Sequence, residues 1–165
     1  MTSLVRRIVA GTAAGAVGTL AMDLVWYRRY RASGGEDGFA GWELATSTRS
    51  FDDAAAPGKV GKKVAGAVGV ALPDRAAGIT TNVVHWLTGV GYGVGHALIQ
   101  HRRSVLVGGL TTGAGALANS YAMLGALGIY KPVWEYDRDT LLDDLSAHLV
   151  FGLAMSLAYE ALARK

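Results

Sequence analysis

Two long stretches of this chain carry no Asp, Glu, Lys or Arg. They cover residues 76–101 and 104–130. Each exceeds the roughly 20 apolar residues that a helix needs to cross a bilayer. Two shorter charge-free runs, 8–22 and 145–159, reach that length when their polar ends are included. The sequence therefore predicts four membrane-spanning helices, at about 6–27, 79–100, 104–129 and 142–163.

A water-soluble bundle of buried helices is the alternative. It predicts helices with a charged outer face, which the two central segments lack. Glycine weakens a water-exposed helix by about 1 kcal/mol per residue, yet GVGYGVG (89–95) lies within the second predicted span. In lipid, glycines let helix backbones approach closely. The predicted fold class is therefore all-α, an integral membrane four-helix bundle that forms a single membrane domain over residues 1–165.

The amino terminus, MTSLVRR followed by an apolar stretch, resembles a secretory signal. Its apolar stretch is long, no A-x-A site closes it and further spans follow, so we interpret it as a retained first helix. The chain has no Cys, which excludes disulfides and thiol chemistry. A scattered net charge of +3 argues against a nucleic-acid partner.

The short flanks of the predicted spans carry pairs of basic residues on one side of the membrane. These pairs lie at 6–7, 102–103 and 164–165. Because positive charge in short loops favours the cytoplasm, both termini are predicted to be cytoplasmic. The RRYR cluster at 28–31 argues for the opposite orientation.

The first and third predicted spans both begin G-x-x-x-G, as GTAAGAVGTLAMD from Gly11 and GLTTGAGALANSY from Gly109. The second and fourth both contain a histidine with a glycine four residues later, as HWLTGVGYGVGH (85–96) and HLVFGLAMSLAY (148–159). This pattern predicts a duplicated helical hairpin, related by an axis along the membrane normal. The alternative is that any two Gly- and Ala-rich helices look alike.

Glycines spaced by four residues are typical of helix-packing seams in membranes. The predicted packing glycines are Gly11, Gly15, Gly89, Gly93, Gly109, Gly113 and Gly152. Gly91 and Gly95 form a second seam on another face of the second span, as expected if that helix touches two neighbours.

The loop 28–75 is too polar to span and is predicted to be extracytoplasmic. After Pro57, Val60, Val64 and Val68 recur at helical spacing beside lysines. This pattern is typical of a basic amphipathic helix that lies on the membrane surface. A short helix packed over the mouth of the bundle is the alternative.

Each predicted span brings a polar group to a similar depth, at about 1.5 Å per residue. Intramembrane polar groups normally face the bundle interior and pair with one another. We therefore predict a polar cluster of Asp23, His85, Asn119, Tyr121, Asp144 and His148. In it, Asp144 would orient His148 from one turn away. The alternatives are a hydrogen-bonded network that sets helix register and a working site. A metal or haem site at His85 and His148 is disfavoured because no further soft ligand accompanies them, so we predict no metal, no cofactor and no catalytic residue.

The run APGKVGKKVAGAVGVALPDRAAGITTNVVHWLTGVGYG, with the second His-x-x-x-Gly helix, resembles a group of small actinobacterial membrane proteins. More distantly, most of the chain resembles the YagU-like inner-membrane proteins, whose domain has no assigned function. The resemblance implies a four-helix protein of the bacterial plasma membrane and brings no catalytic residues.

Three functions are compatible with these features. The first is a non-enzymatic scaffold or regulator that acts through helix packing on another membrane protein or as a homo-oligomer. The second is a small-solute or ion transporter or channel, which would need an oligomer to form a conducting lumen. The third is a membrane redox or metal protein that uses the two histidines.

Overall fold

The computed structural model describes residues 3–99 and 104–163, which form six α-helices and no strand. The all-α prediction is confirmed for these residues. The helices are α1 (Ser3–Ala32), α2 (Phe39–Glu43), α3 (Ala56–Ala67), α4 (Ala77–Ile99), α5 (Val105–Ala126) and α6 (Arg138–Ala163). Short 3-10 turns at Asp74–Ala76 and Val133–Glu135 precede α4 and α6.

The four long helices pack antiparallel to their neighbours in the spatial order α4, α1, α6, α5. Helix α1 lies between α4 and α6, because it carries small residues on two faces. Its Gly11 and Gly15 face α4, whereas a Cβ at Gly18 would lie 2.8 Å from the Cβ of Met155 on α6. Helices α4 and α5 make few contacts with each other, so this side of the structure is open.

Glycines form the crossings within both helix pairs, α1 with α4 and α5 with α6. Gly93 lies against Gly11 and Gly15, and a Cβ at Gly11 would lie 2.7 Å from the Gly93 carbonyl oxygen. The second crossing has the same arrangement: Gly152 lies against Gly109 and Gly113. Gly89 meets Thr19 of α1. All seven predicted packing glycines therefore lie at helix contacts.

The helix bounds differ from the predicted spans mainly at the two outer helices. Helix α1 continues to Ala32, and α6 begins at Arg138, four residues before its predicted start. Asp137 caps α6 by accepting hydrogen bonds from the backbone N–H and the hydroxyl of Thr140, both at 2.8 Å. Asp144 therefore lies within the helix rather than at its start. Several residues used to predict the orientation, and the end of the second span, lie outside the described residues: 100, 102–103 and 164–165.

Helix α3 packs over the start of α4 through glycines rather than through its valines. Gly58 is buried against Thr81, and Gly61 lies against Thr80. Of the three valines predicted to form the apolar face, Val64 and Val68 are exposed, and Val60 is half-buried and lines the cavity described below. The absence of a side chain on glycine allows a closer helix contact than valine does, so the glycine face packs. This placement agrees with a helix over the bundle mouth.

Two helices, α1 and α6, are long and apolar enough to span a membrane. Helices α4 and α5 contain no charged residue, but Gly, Thr and Asn lower their hydropathy. The interior between the long helices consists mainly of small residues, including Ala10, Ala14, Ala97 and Ala116. Large apolar side chains are exposed on the outer faces: Val9, Leu20, Leu24, Val83, Leu87, Leu106, Leu110 and Leu157.

Candidate functional site: an acidic and aromatic cavity

A cavity of about 630 Å³ lies at the end of the long helices where the two loops connect them. All four long helices contribute to its wall, and residues of α2 and the segment 45–57 cover it. At its inner end the rings of Tyr92 and Phe151 meet edge to face, with their centroids 6.0 Å apart. The loop between the first two long helices is thus part of the site.

The lining of this cavity is acidic and aromatic. Five carboxylates and two histidines line it: Asp23, Asp37, Glu43, Asp53, Asp144, His85 and His148. Seven aromatic rings accompany them: Trp26, Tyr30, Trp42, Tyr92, Tyr121, Tyr130 and Phe151. None of the described residues that line the cavity is Lys or Arg.

One wall is built around Asp23 of α1, which is only 3% exposed. His85 of α4 places its Nε2 atom 2.9 and 3.0 Å from the two carboxylate oxygens of Asp23. Because a carboxylate only accepts, the Nε2–H of His85 donates and is shared between both oxygens. The contact joins two helices whose polar residues are 62 positions apart in the sequence.

Glu43, at the end of the short helix α2, completes this wall. The Nε1–H of Trp86 donates to its Oε1 at 3.0 Å. One carboxylate oxygen each of Asp23 and Glu43 and one ring nitrogen of His85 all lie within 4.8 Å of one another. No Lys or Arg of the described part of the chain forms an ion pair with either carboxylate.

Burial, and next the negative charge of Asp23, raises the pKa of the Glu43 carboxyl above its ordinary value. The charge of His85 and the hydrogen bond from Trp86 act in the opposite direction. The elevated pKa of Glu43 therefore reflects first its burial and only then the nearby carboxylate of Asp23.

The opposite wall combines Tyr121, Asp144 and His148. The hydroxyl of Tyr121 donates a hydrogen bond to Oδ2 of Asp144. His148 donates from Nδ1 to the backbone carbonyl of Asp144 at 2.8 Å, so it is the Asp144 backbone that orients the ring, not the predicted carboxylate. In the neutral tautomer this bond leaves Nε2 as the acceptor. Burial, and next the charge of Asp144, raises the pKa of the neighbouring Tyr130 phenol.

The two walls occupy equivalent positions relative to the glycine crossings. Asp23 and Tyr121 each lie eight residues after Gly15 and Gly113. Their partners, His85 and Asp144, each lie eight residues before Gly93 and Gly152. His148 is only four residues before Gly152, so it corresponds in register to Gly89. The sequence repeat aligned His85 with His148, whereas the glycine crossings align His85 with Asp144 and place the two histidines one helical turn apart in register.

The structure brings five of the six predicted cluster residues to one cavity and leaves Asn119 outside it. Asn119 donates to the hydroxyl of Tyr92 at 2.9 Å and lines an adjoining groove of about 660 Å³ between α4 and α5. In the same groove, His96 contacts the hydroxyl of Thr112 at 3.0 Å. Asn119 was predicted from its depth alone, and its direction around α5 carries it away from the cavity.

Sequence reasoning missed Glu43 as well as the aromatic residues Tyr92 and Tyr130. Glu43 lies in the Gly- and Ser-rich stretch of the loop, where an acidic residue has no distinguishing signal. Its role depends on the loop folding back over the helix ends. Tyr130 follows the third predicted span and lines the cavity.

No protein-family model, curated protein or solved structure matches the chain. The resemblance to the YagU-like proteins therefore stays a prediction, and the assignment of a function depends on the geometry of the cavity.

Proposed function

We propose that this chain is a membrane protein that binds a small organic cation in the cavity and transports it as a small-solute transporter. The observation that carries the proposal is the lining: five carboxylates and seven aromatic rings, with no Lys or Arg among the described lining residues. The proposal is non-enzymatic and develops the transporter alternative, because a scaffold does not require such a cavity.

The lining favours an organic cation over an anion or a neutral solute. Carboxylates in a low-dielectric enclosure attract positive charge, and the faces of Trp and Tyr stabilise alkylated ammonium groups by cation–π contact. A volume of about 630 Å³ lies within the range of small-molecule sites. Inorganic cations do not need the aromatic rings.

The distribution of apolar side chains supports the membrane location. Large aliphatic residues face outwards on the four long helices, while the interior consists mainly of Ala and Gly, with Phe151, Met155 and Tyr159 as its large side chains. A water-soluble protein buries its large apolar residues, whereas membrane helices pack through small ones. We therefore propose four spans in the bacterial plasma membrane, with both termini cytoplasmic and the cavity at the extracytoplasmic end.

This topology predicts that both loops label from outside intact cells. The chain has no Cys, so single cysteines can be introduced as Ser33→Cys, Glu135→Cys and Ser3→Cys. A membrane-impermeant thiol reagent should modify the two loop positions directly and the terminal position only after permeabilisation. Loops that label from opposite faces would contradict the four-span topology.

The binding proposal predicts that benzyltrimethylammonium stabilises the purified protein against heat in mild detergent, whereas its uncharged analogue neopentylbenzene does not. Asp144→Asn should weaken cation binding about 10-fold, because one charge pair of about 1.4 kcal/mol is lost. Asp143→Asn is the matched control, since Asp143 is exposed and pairs with Arg29 outside the cavity lining. Uptake of the cation into liposomes tests transport.

Equal responses to the charged and uncharged probes would rule out cation recognition. A stable dimer in mild detergent, with no response to either probe, would instead favour the scaffold function. That second function is supported by Gly91, Gly95 and Gly115, where an added Cβ would meet open space. Such a face suits docking of another helix.

We also infer that the two hairpins arose by duplication. The support is the matching positions of glycine crossings and polar contacts: Asp23 with His85 in the first hairpin, and Tyr121 with Asp144 in the second. Two unrelated helices rich in Gly and Ala resemble each other in composition, but composition alone does not place two polar residues of each hairpin at matching distances from the glycine crossings.

A further inference from the structure

We infer that Asp23, Glu43 and His85 form a binding site for one divalent transition-metal ion in the wall of the cavity. The three residues come from three separate elements, α1, α2 and α4, and their donor atoms lie within 4.8 Å of one another. The inference does not depend on organic-cation binding, because Asp144, the carboxylate used to test cation binding, lies on the opposite wall of the cavity.

The hydrogen bonds around these carboxylates leave electron pairs available to a metal. A carboxylate has about four lone-pair sites, yet Asp23, 3% exposed, receives only the one N–H of His85 from the described residues. Glu43 receives the Trp86 N–H on Oε1, and no described donor reaches its Oε2. Burying a carboxylate that accepts so few hydrogen bonds costs free energy, and a bound cation would offset this cost.

The distances suit a metal ion after a small closure. Donors around a tetrahedral ion with bonds of about 2.1 Å lie about 3.4 Å apart. The ligand atoms of Asp23 and His85 are 2.9 Å apart, closer than this distance, so they would separate slightly while Glu43 moves inwards. Glu43 ends a five-residue helix in the loop, which can move more easily than the long helices. The ion would take the place of the Nε2 hydrogen that His85 shares with Asp23, and the neutral imidazole would then carry its hydrogen on Nδ1.

The donor set selects the class of metal. One imidazole with two carboxylates, in a chain without Cys, suits the borderline ions from Mn²⁺ to Zn²⁺ and disfavours Cu⁺, which prefers sulfur. Three protein ligands leave at least one position of a four-coordinate ion open. Since all three residues line the cavity, this position would face its interior.

The experiment uses the full chain in mild detergent, stripped with a chelator and titrated with Zn²⁺ by calorimetry. We expect one Zn²⁺ per chain, and Co²⁺ should give visible absorption bands that Zn²⁺ displaces. Glu43→Gln should weaken Zn²⁺ binding by at least about 10-fold, the lower bound for residues that merely support a ligand. The substituted amide side chain keeps the size of the glutamate and can still accept from Trp86, so the fold should persist.

Glu36→Gln is the matched control, because Glu36 is an exposed acid of the same loop outside the cavity lining. It should bind Zn²⁺ as the unmodified protein does. Absence of Zn²⁺ binding in the stripped protein, or binding unaffected by Glu43→Gln, would overturn the metal site. Either result leaves the response to benzyltrimethylammonium and its dependence on Asp144 to be judged separately, so the two proposals fail independently.

Discussion

Gly93→Ala should lower the free energy of unfolding by about 3 kcal/mol, the upper part of the range for overpacking a tight contact. A Cβ at this position would lie within 2.6 Å of the backbone nitrogen of Gly15 and would also meet the carbonyl of Gly11. Backbone atoms cannot change rotamer, so α1 and α4 must separate. The expected fall in melting temperature is roughly 10 °C, measured by intrinsic tryptophan fluorescence in detergent.

Gly95→Ala is the matched control, two residues along the same helix. An added Cβ there meets nothing within 4 Å, so the methyl group enters the open groove between α4 and α5. Alanine favours helix over glycine by up to about 1 kcal/mol, and the variant should melt at the temperature of the unmodified protein or above it. Equal losses for both variants would show that glycine acts through helix flexibility rather than through the crossing.

His85→Ala should destabilise the protein by about 3 kcal/mol, because it leaves the Asp23 carboxylate buried without its partner. Asp23 is 3% exposed, and His85 is its only hydrogen-bond donor among the described residues. The double variant Asp23→Ala/His85→Ala removes both groups, so its loss should be clearly smaller than the sum of the two single losses. Thermal unfolding of all three variants gives the coupling energy.

The hydrogen bond between Tyr121 and Asp144 occupies the equivalent position in the second hairpin and is the comparison for the Asp23–His85 contact. Tyr121→Phe removes the hydrogen bond to Asp144 but should cost only about 1 kcal/mol, because Asp144 is partly exposed and water can replace the phenol. Additive losses for Asp23→Ala and His85→Ala would mean that the contact contributes no coupling and that each residue acts through its own packing.

The sequence alone was sufficient to predict the helices and the glycines at their crossings, because both depend on local physical properties of the chain. A long segment without charge and without proline can satisfy its backbone hydrogen bonds as a helix, and this property needs no knowledge of its neighbours. The same holds for depth, since the helical rise places Asp23, His85, Tyr121 and His148 toward one end. The helix positions and the depths of these polar residues agree with the structure, because each depends only on residues within one segment.

Only the tertiary structure decided which side chains meet. Depth along a helix does not give direction around it, so Asn119 was expected in the cluster with Tyr121 but lines the groove between α4 and α5. The alignment of His85 with His148 used only the similarity of the two sequence stretches. The crossings at Gly93 and Gly152 show that the two histidines differ in register by one helical turn.

Glu43 is the clearest example of a contact that local sequence does not predict. It reaches Asp23 and His85 because the loop folds back over the helix ends, and the energy of that contact depends on surfaces far apart in the sequence. The spacing of residues along one helix is a local property, but the choice of neighbour depends on which surfaces approach most closely. In this chain, glycines on α1, α4, α5 and α6 allow the helix backbones to approach closely and so determine which helices pack together.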